Sequence, residues 1–116
     1  MSIELDDFEI IIRKGNDFRE PFDCANKDGV PLNLTGWGIK AQLRAKKKLS
    51  AALLADFVID RSEEATGRIY LALPLSVTAA LPGRKGYYDI LFTNPGDFSE
   101  TYVEGKARLD QTVTVK

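Results

Sequence analysis

Apolar and polar residues alternate along much of this chain, and glycine or proline interrupts the alternation every few positions. The clearest run places four apolar side chains on one parity and three polar ones on the other: Trp37, Ile39, Ala41 and Leu43 against Lys40, Gln42 and Arg44. A period of two sends successive side chains to opposite faces of a β-strand. No long amphipathic helix pattern interrupts it, so the pattern favours an all-β protein.

About eight segments have this strand pattern: 8–12, 18–22, 37–44, 54–60, 68–73, 87–93, 98–104 and 107–115. Pro21 cannot donate to a ladder, which favours a sheet edge or a bulge for the second segment. Leu75–Leu81 predicts a helical turn, and Gly105 predicts a break between the last two segments. We expect residues 1–116 to form one Ig-like β-sandwich domain of about seven to eight mostly antiparallel strands with one short helical turn; a barrel is the second possibility.

The residue types restrict the chemistry that this chain can perform. It has 116 residues, no histidine and one cysteine, Cys24, so Ser-His-Asp triads, Cys-His dyads and the usual zinc sites are excluded. The adjacent pairs Asp6–Asp7 and Glu63–Glu64 would point to opposite strand faces and not converge. No segment has the spacing of an EF-hand or a P-loop. We expect no enzyme activity, no cofactor and no metal site.

Hydropathy at the N-terminus and along the chain bears on location. No apolar run approaches the roughly 20 residues that span a bilayer. Met1–Glu4 is acidic and lacks the apolar core of a signal peptide. We therefore expect no membrane span and no export by a signal peptide.

Charge is segregated along the chain although the formal net charge is only -1. No Asp or Glu lies between Asp28 and Asp56, and five cations of that window are the candidate partner-contact residues: Lys40, Arg44, Lys46, Lys47 and Lys48. The first ten residues carry four acids: Glu4, Asp6, Asp7 and Glu9. The basic set fits a solvated, lysine-protected edge, or a patch complementary to another subunit or partner. Nucleic acid is the least favoured partner, because the patch is short and lacks interleaved aromatic residues.

Three further residue types have alternative roles. Asp89 lies in an otherwise apolar strand and, if buried, needs a cationic or backbone partner. Tyr87 or Tyr88 is expected to tie a loop to a strand through its hydroxyl group, as tyrosine corners do. Trp37 shares its parity with core positions, so we expect it to be buried. Exposed rings of Trp37 and the tyrosines would instead suit a glycan-binding module.

The order of several landmarks resembles a known group of proteins. A turn and corner at Asp28–Gly36 precede a strand that ends at Ala41–Arg44, and Leu75–Pro82 leads into Gly86–Ile90. This order is similar to small phage and prophage structural proteins, in particular the N-terminal β-sandwich domain of phage baseplate upper proteins. The similarity runs from about Phe8 to Val115.

The resemblance implies a structural role in a virion tail or baseplate and supplies no catalytic residues. The expected partners are other virion proteins or further copies of the chain, and the expected location is the virion or the bacterial cytoplasm.

Overall fold

The computed structural model describes residues 6–111, which form mainly β-strands. The strands are β1 (Asp6–Asp7), β2 (Ile10–Lys14), β3 (Phe18–Asp23), β4 (Gly38–Arg44), β5 (Leu53–Asp56), β6 (Val58–Asp60), β7 (Arg68–Leu73), β8 (Lys85–Thr93) and β9 (Ser99–Gln111). A 3-10 turn covers Glu64–Thr66, and the short helix α1 covers Leu75–Ala79. The prediction of a mostly β chain with a short helical turn is confirmed.

The strands form two sheets. The larger, six-stranded sheet has the order β1-β9-β8-β4-β5, with β2 also paired to β9, and it curls like half of a barrel. The smaller sheet has the order β3-β7-β6. Both β1 and β2 run parallel to β9, whereas the other pairs are antiparallel. The larger sheet is therefore mixed, which the sequence pattern did not predict.

One segment belongs to both sheets. The predicted strand at 54–60 divides into β5 and β6 at Phe57, and β5 pairs in the larger sheet while β6 pairs in the smaller. The Phe57 N–H donates to the Ala41 carbonyl oxygen at 3.0 Å. Its buried ring lies 6.0 Å from the ring of Phe18 and 6.3 Å from that of Tyr88, measured between centroids. Phe57 thus joins the sheets at one corner and packs between them.

Alternation along the strands places the core as predicted. Ile39, Ala41 and Leu43 of β4 are buried and Lys40 is exposed. Trp37 precedes β4 and is only 8% exposed, with its ring edge-on to that of Phe92. The apolar strand β8 is central in its sheet. The proline-containing strand β3 lies at the edge of the smaller sheet, also as predicted.

Gly105 does not break the chain as predicted but lies inside the long strand β9. A Cβ atom at this position would lie 1.8 Å from the Phe8 carbonyl oxygen. Phe8 lies between β1 and β2, and its N–H donates to the Glu104 carbonyl oxygen at 3.1 Å. Its carbonyl oxygen accepts a 2.8 Å hydrogen bond from the hydroxyl group of buried Tyr88. Tyr88 therefore has the predicted tying role.

The first and last predicted strands differ in how well their buried residues match the alternation. Phe8 begins the predicted strand 8–12, but its side chain is 45% exposed and the regular strand β2 begins only at Ile10. Ala107 and Leu109 are buried as their parity predicted. The rest of that predicted strand, with Val113 and Val115, lies outside the described residues.

Gly105→Ala is expected to lower the free energy of unfolding by at least about 2 kcal/mol, because the added methyl group meets backbone that cannot move aside. Chemical denaturation followed by circular dichroism measures the change. Gly96→Ala is the matched control: the nearest atom to its Cβ is the side-chain oxygen of Asn94, at 3.3 Å. Equal effects of the two substitutions would contradict the close approach of Phe8 to Gly105.

Candidate interaction surface

The outer face of the larger sheet carries a group of basic side chains on neighbouring strands. In register across the strands, Arg44 of β4 lies beside Tyr87 of β8, which lies beside Lys106 of β9. The next row toward one end pairs Lys85 with Arg108. Because cross-strand neighbours share a face, these side chains lie together opposite the core.

The row on the other side of Tyr87 is polar and acidic. Gln42 of β4 lies beside Asp89 of β8, which lies beside Glu104 of β9. The Gln42 amide donates to the carboxylate of Asp56 on β5 at 2.8 Å. A basic area and an acidic row thus share one sheet face.

Residues 45–52, here called the basic loop, fold back over this face. Arg44 donates to the Ala51 carbonyl oxygen at 3.0 Å and to the Gln42 side-chain oxygen at 2.9 Å. On the far side, the Lys47 ammonium lies 3.0 Å from a Glu104 carboxylate oxygen. The loop, joining β4 and β5, therefore reaches across β8 to β9. A groove of about 290 Å³, here called the loop groove, lies beneath it.

The structure brings four of the five predicted contact residues together. The loop groove is lined by Arg44, Lys46, Lys47 and Lys48, whereas Lys40 does not line it. Lys40 shares the sheet face but lies beside Leu91, two rows from Tyr87. Arg44 and Lys47 hold the loop, while Lys46, Lys48 and the 89%-exposed Leu49 face solvent. Sequence reasoning missed Leu49.

The acidic N-terminal segment does not lie at a separate end of the molecule from the basic loop. Asp7 in β1 pairs through its backbone with Glu104, the residue that Lys47 contacts. One predicted contact cation, Lys47, therefore already has an ion-pair partner, Glu104, within the chain. Glu4, also assigned to the acidic segment, lies outside the described residues.

A second basic site was missed by the sequence analysis. A cavity of about 1030 Å³, here called the basic cleft, has five cations in its lining: Lys14, Arg84, Lys85, Lys106 and Arg108. Glu9 and Asp110 also line it. These residues come from β2 and the residue before it, from the start of β8 and the connection before it, and from β9. Only strand register brings them together, although the spacing of Lys106 and Arg108 already placed both on one face of a strand.

Asp89 has no ion-pair partner among the side chains that the structure describes. The residue is exposed, so the full burial that would have required a partner does not occur. Partial burial, and secondarily the neighbouring charge of Glu104, raise the pKa of Asp89 above its usual value, while Arg44 opposes the shift. The charged form of Asp89 is therefore disfavoured by its partial burial on the sheet face and by the Glu104 carboxylate.

Two residues considered for chemistry or ligand binding lie in the core. Burial, with a contribution from Asp23, raises the pKa of the Cys24 thiol to about 11, so it stays protonated at neutral pH. Trp37 is buried against Phe92 and does not offer the ring face that a glycan site requires.

The described residues contain no group of three or more metal-binding side chains suited to holding an ion. Within residues 6–111, no helix has the length and apolar character needed to traverse a bilayer. Comparison with known protein families finds no matching family model, and comparison with curated proteins finds no match.

Asp89→Asn is expected to raise the free energy of unfolding at pH 7 by about 0.3 kcal/mol, a small gain because the site is partly solvated. The folded-state pKa lies above the usual 3.8, so this carboxylate costs stability as pH rises through and beyond 3.8. The advantage of the variant should therefore disappear by about pH 3. Urea denaturation at both pH values measures it.

Asp28→Asn, in the exposed turn after β3, removes the same charge and serves as the control. A less stable Asp89→Asn variant at pH 7 would show that the attraction of Arg44 outweighs burial and Glu104.

Trp37 fluorescence is expected to be blue-shifted and protected from iodide and acrylamide, because the indole packs inside the larger sheet. The chain has one tryptophan, so the signal reports this site alone. The unfolded chain in urea is the reference for full accessibility. Emission and quenching equal to that reference would show that the Trp37 ring is exposed, which would favour the glycan-binding alternative.

Proposed function

We propose that this chain is a non-catalytic structural module that acts through protein–protein contacts, as a component of a phage or prophage tail or baseplate. In this proposal the two sheets are a variant of the Ig-like sandwich, and the module works in the virion or, before assembly, in the bacterial cytoplasm. The observation that carries the contact role is the basic loop, which is held at both sides and presents Lys46, Lys48 and Leu49 outward.

A loop fixed in this way suits recognition. Arg44 and Lys47 already make contacts that hold the loop in place. Binding therefore has to order fewer side chains and loses less entropy. Leu49, at 89% exposure, supplies apolar area that a partner can cover. Burying such a side chain contributes roughly 1.5–3 kcal/mol. An apolar centre with a charged rim is the usual composition of a contact site.

The charges at this site define the partner. Lys46 and Lys48 precede the exposed Leu49 on the same loop, so the matching surface carries carboxylates beside an apolar contact. Such a surface belongs to a further copy of the chain or to another virion protein. Contacts between solvent-exposed charges weaken with ionic strength, so assembly through this loop is salt-dependent.

Lys46→Glu/Lys48→Glu is expected to shift the association equilibrium of the chain toward the monomer and to flatten its dependence on salt. Sedimentation equilibrium and light scattering at low and high ionic strength measure both effects. Lys47 is left intact because its substitution would also release Glu104.

Lys27→Glu reverses an exposed lysine outside the basic loop and outside the candidate contact residues, and it serves as the control. A wild-type chain that stays monomeric at both ionic strengths, or a loop variant that assembles like the control, would contradict the role of the loop in self-association.

A further inference from the structure

The basic cleft concentrates like charges on neighbouring strands. Lys85 and Arg108 are direct cross-strand partners, and Lys106 lies two residues from Arg108 on the same face. Arg84 adjoins Lys85 and also lines the cleft. Like charges opposite each other in a sheet are destabilising. The chain has 17 acidic residues to place against 16 cations, so this concentration is a local arrangement and not a consequence of overall charge.

Within residues 6–111, Arg108 is the cleft cation with described ion pairs. Arg108 makes two hydrogen bonds to Asp110, at 3.0 and 3.2 Å, and lies 3.8 Å from a Glu9 oxygen. Among the side chains that the structure describes, Lys85 and Lys106 have no ion-pair partner. Both are exposed. Two cations are therefore available to an incoming anion beside an arginine that is already satisfied.

The backbone around these cations is held in place. The Leu109 N–H donates to the Arg84 carbonyl oxygen at 2.8 Å, which extends the pairing of β8 and β9 beyond Lys85. The Lys14 ammonium donates to the Gly83 carbonyl oxygen and ties the connection before β8 to β2. A cation pair on rigid strands needs little reorganisation to receive a ligand.

We propose that the basic cleft binds a carboxylate-rich segment of a partner protein through Lys85 and Lys106. This deepens the proposed function, on which it rests for the partner being a protein, and it gives the chain a second contact site besides the basic loop. The tyrosine ring beside Lys106 and the 41%-exposed Ile11 beside Arg108 add contacts that a peptide can use.

The surroundings of the cleft favour a peptide over a nucleic acid. The row containing Asp89 and Glu104 borders the Tyr87 and Lys106 row and would repel a phosphate backbone continuing along the strands. The positive area consequently spans about two rows, or roughly 7 Å along a strand. Non-specific nucleic-acid binding instead uses several phosphate contacts and successive stacked bases. Tyr87 is the one described aromatic side chain within these two rows.

The test measures binding of a fluorescein-labelled peptide of alternating glutamate and leucine by anisotropy, with a labelled oligo-dT of equal charge as the competing probe. We expect the full chain to bind the peptide in a salt-dependent manner. Lys85→Glu/Lys106→Glu is expected to weaken that binding at least about tenfold. Lys27→Glu, at an exposed lysine outside the cleft and outside the candidate contact residues, is expected to bind like wild type.

A neutral variant, Lys85→Gln/Lys106→Gln, still tests the cleft if the charge-reversed variant does not fold. Circular dichroism checks that each variant is folded. An intermediate loss with the glutamine variant supports the proposal. Absence of peptide binding, an equal loss in the control, or tighter binding of oligo-dT than of the peptide would each overturn it.

These outcomes are separate from those of the basic loop. Peptide binding that depends on Lys85 and Lys106, together with assembly that ignores Lys46→Glu/Lys48→Glu, would reject the loop contact and retain the cleft. Assembly that depends on the loop, with no peptide binding at the cleft, would do the reverse.

Discussion

The passage of the Phe8 backbone over Gly105 is the constraint on which the arrangement of the larger sheet depends. The N-terminal segment keeps one register on β9, since Asp7 pairs with Glu104 and Ile10 with Ala107. Between these pairs the Phe8 carbonyl oxygen lies where a Cβ atom of residue 105 would stand, so only a residue without a side chain fits there. The Phe8 carbonyl oxygen would otherwise lose its hydrogen bonds on burial, and the Tyr88 hydroxyl group supplies one. The parallel pairing of β2 with β9 therefore continues the register of β1 past this close approach.

The sequence could predict those parts of the fold in which the residues of a single strand show which of its faces is buried. β4 shows this best, because one of its faces is buried and the other is solvated, so alternation appears directly in the residues. The role of Gly105 could not be read in this way. A glycine in a strand pattern has the same local signature whether it ends the strand or makes room for another segment. The two cases differ only in what approaches it, which is Phe8, nearly a hundred positions away.

The surface shows the same limit. Lys46, Lys47 and Lys48 are consecutive, so their clustering was visible in the sequence, but the use of Lys47 to hold Glu104 was not. The basic cleft draws on three distant parts of the chain, and the facing of Lys85 and Arg108 depends on the register of β8 and β9. A shift by one residue would send one of them to the core face. Register is set by packing across the whole sheet, so no local pattern could place these cations together.

The corner at Phe57 has a mechanical consequence. Because β5 and β6 form one continuous segment, a force applied to either sheet is passed to the other through covalent backbone. The hydrogen bond to Ala41 and the ring contacts with Phe18 and Tyr88 resist the same displacement. The sheets therefore cannot slide apart independently, and strain imposed on one outer surface is shared by both layers.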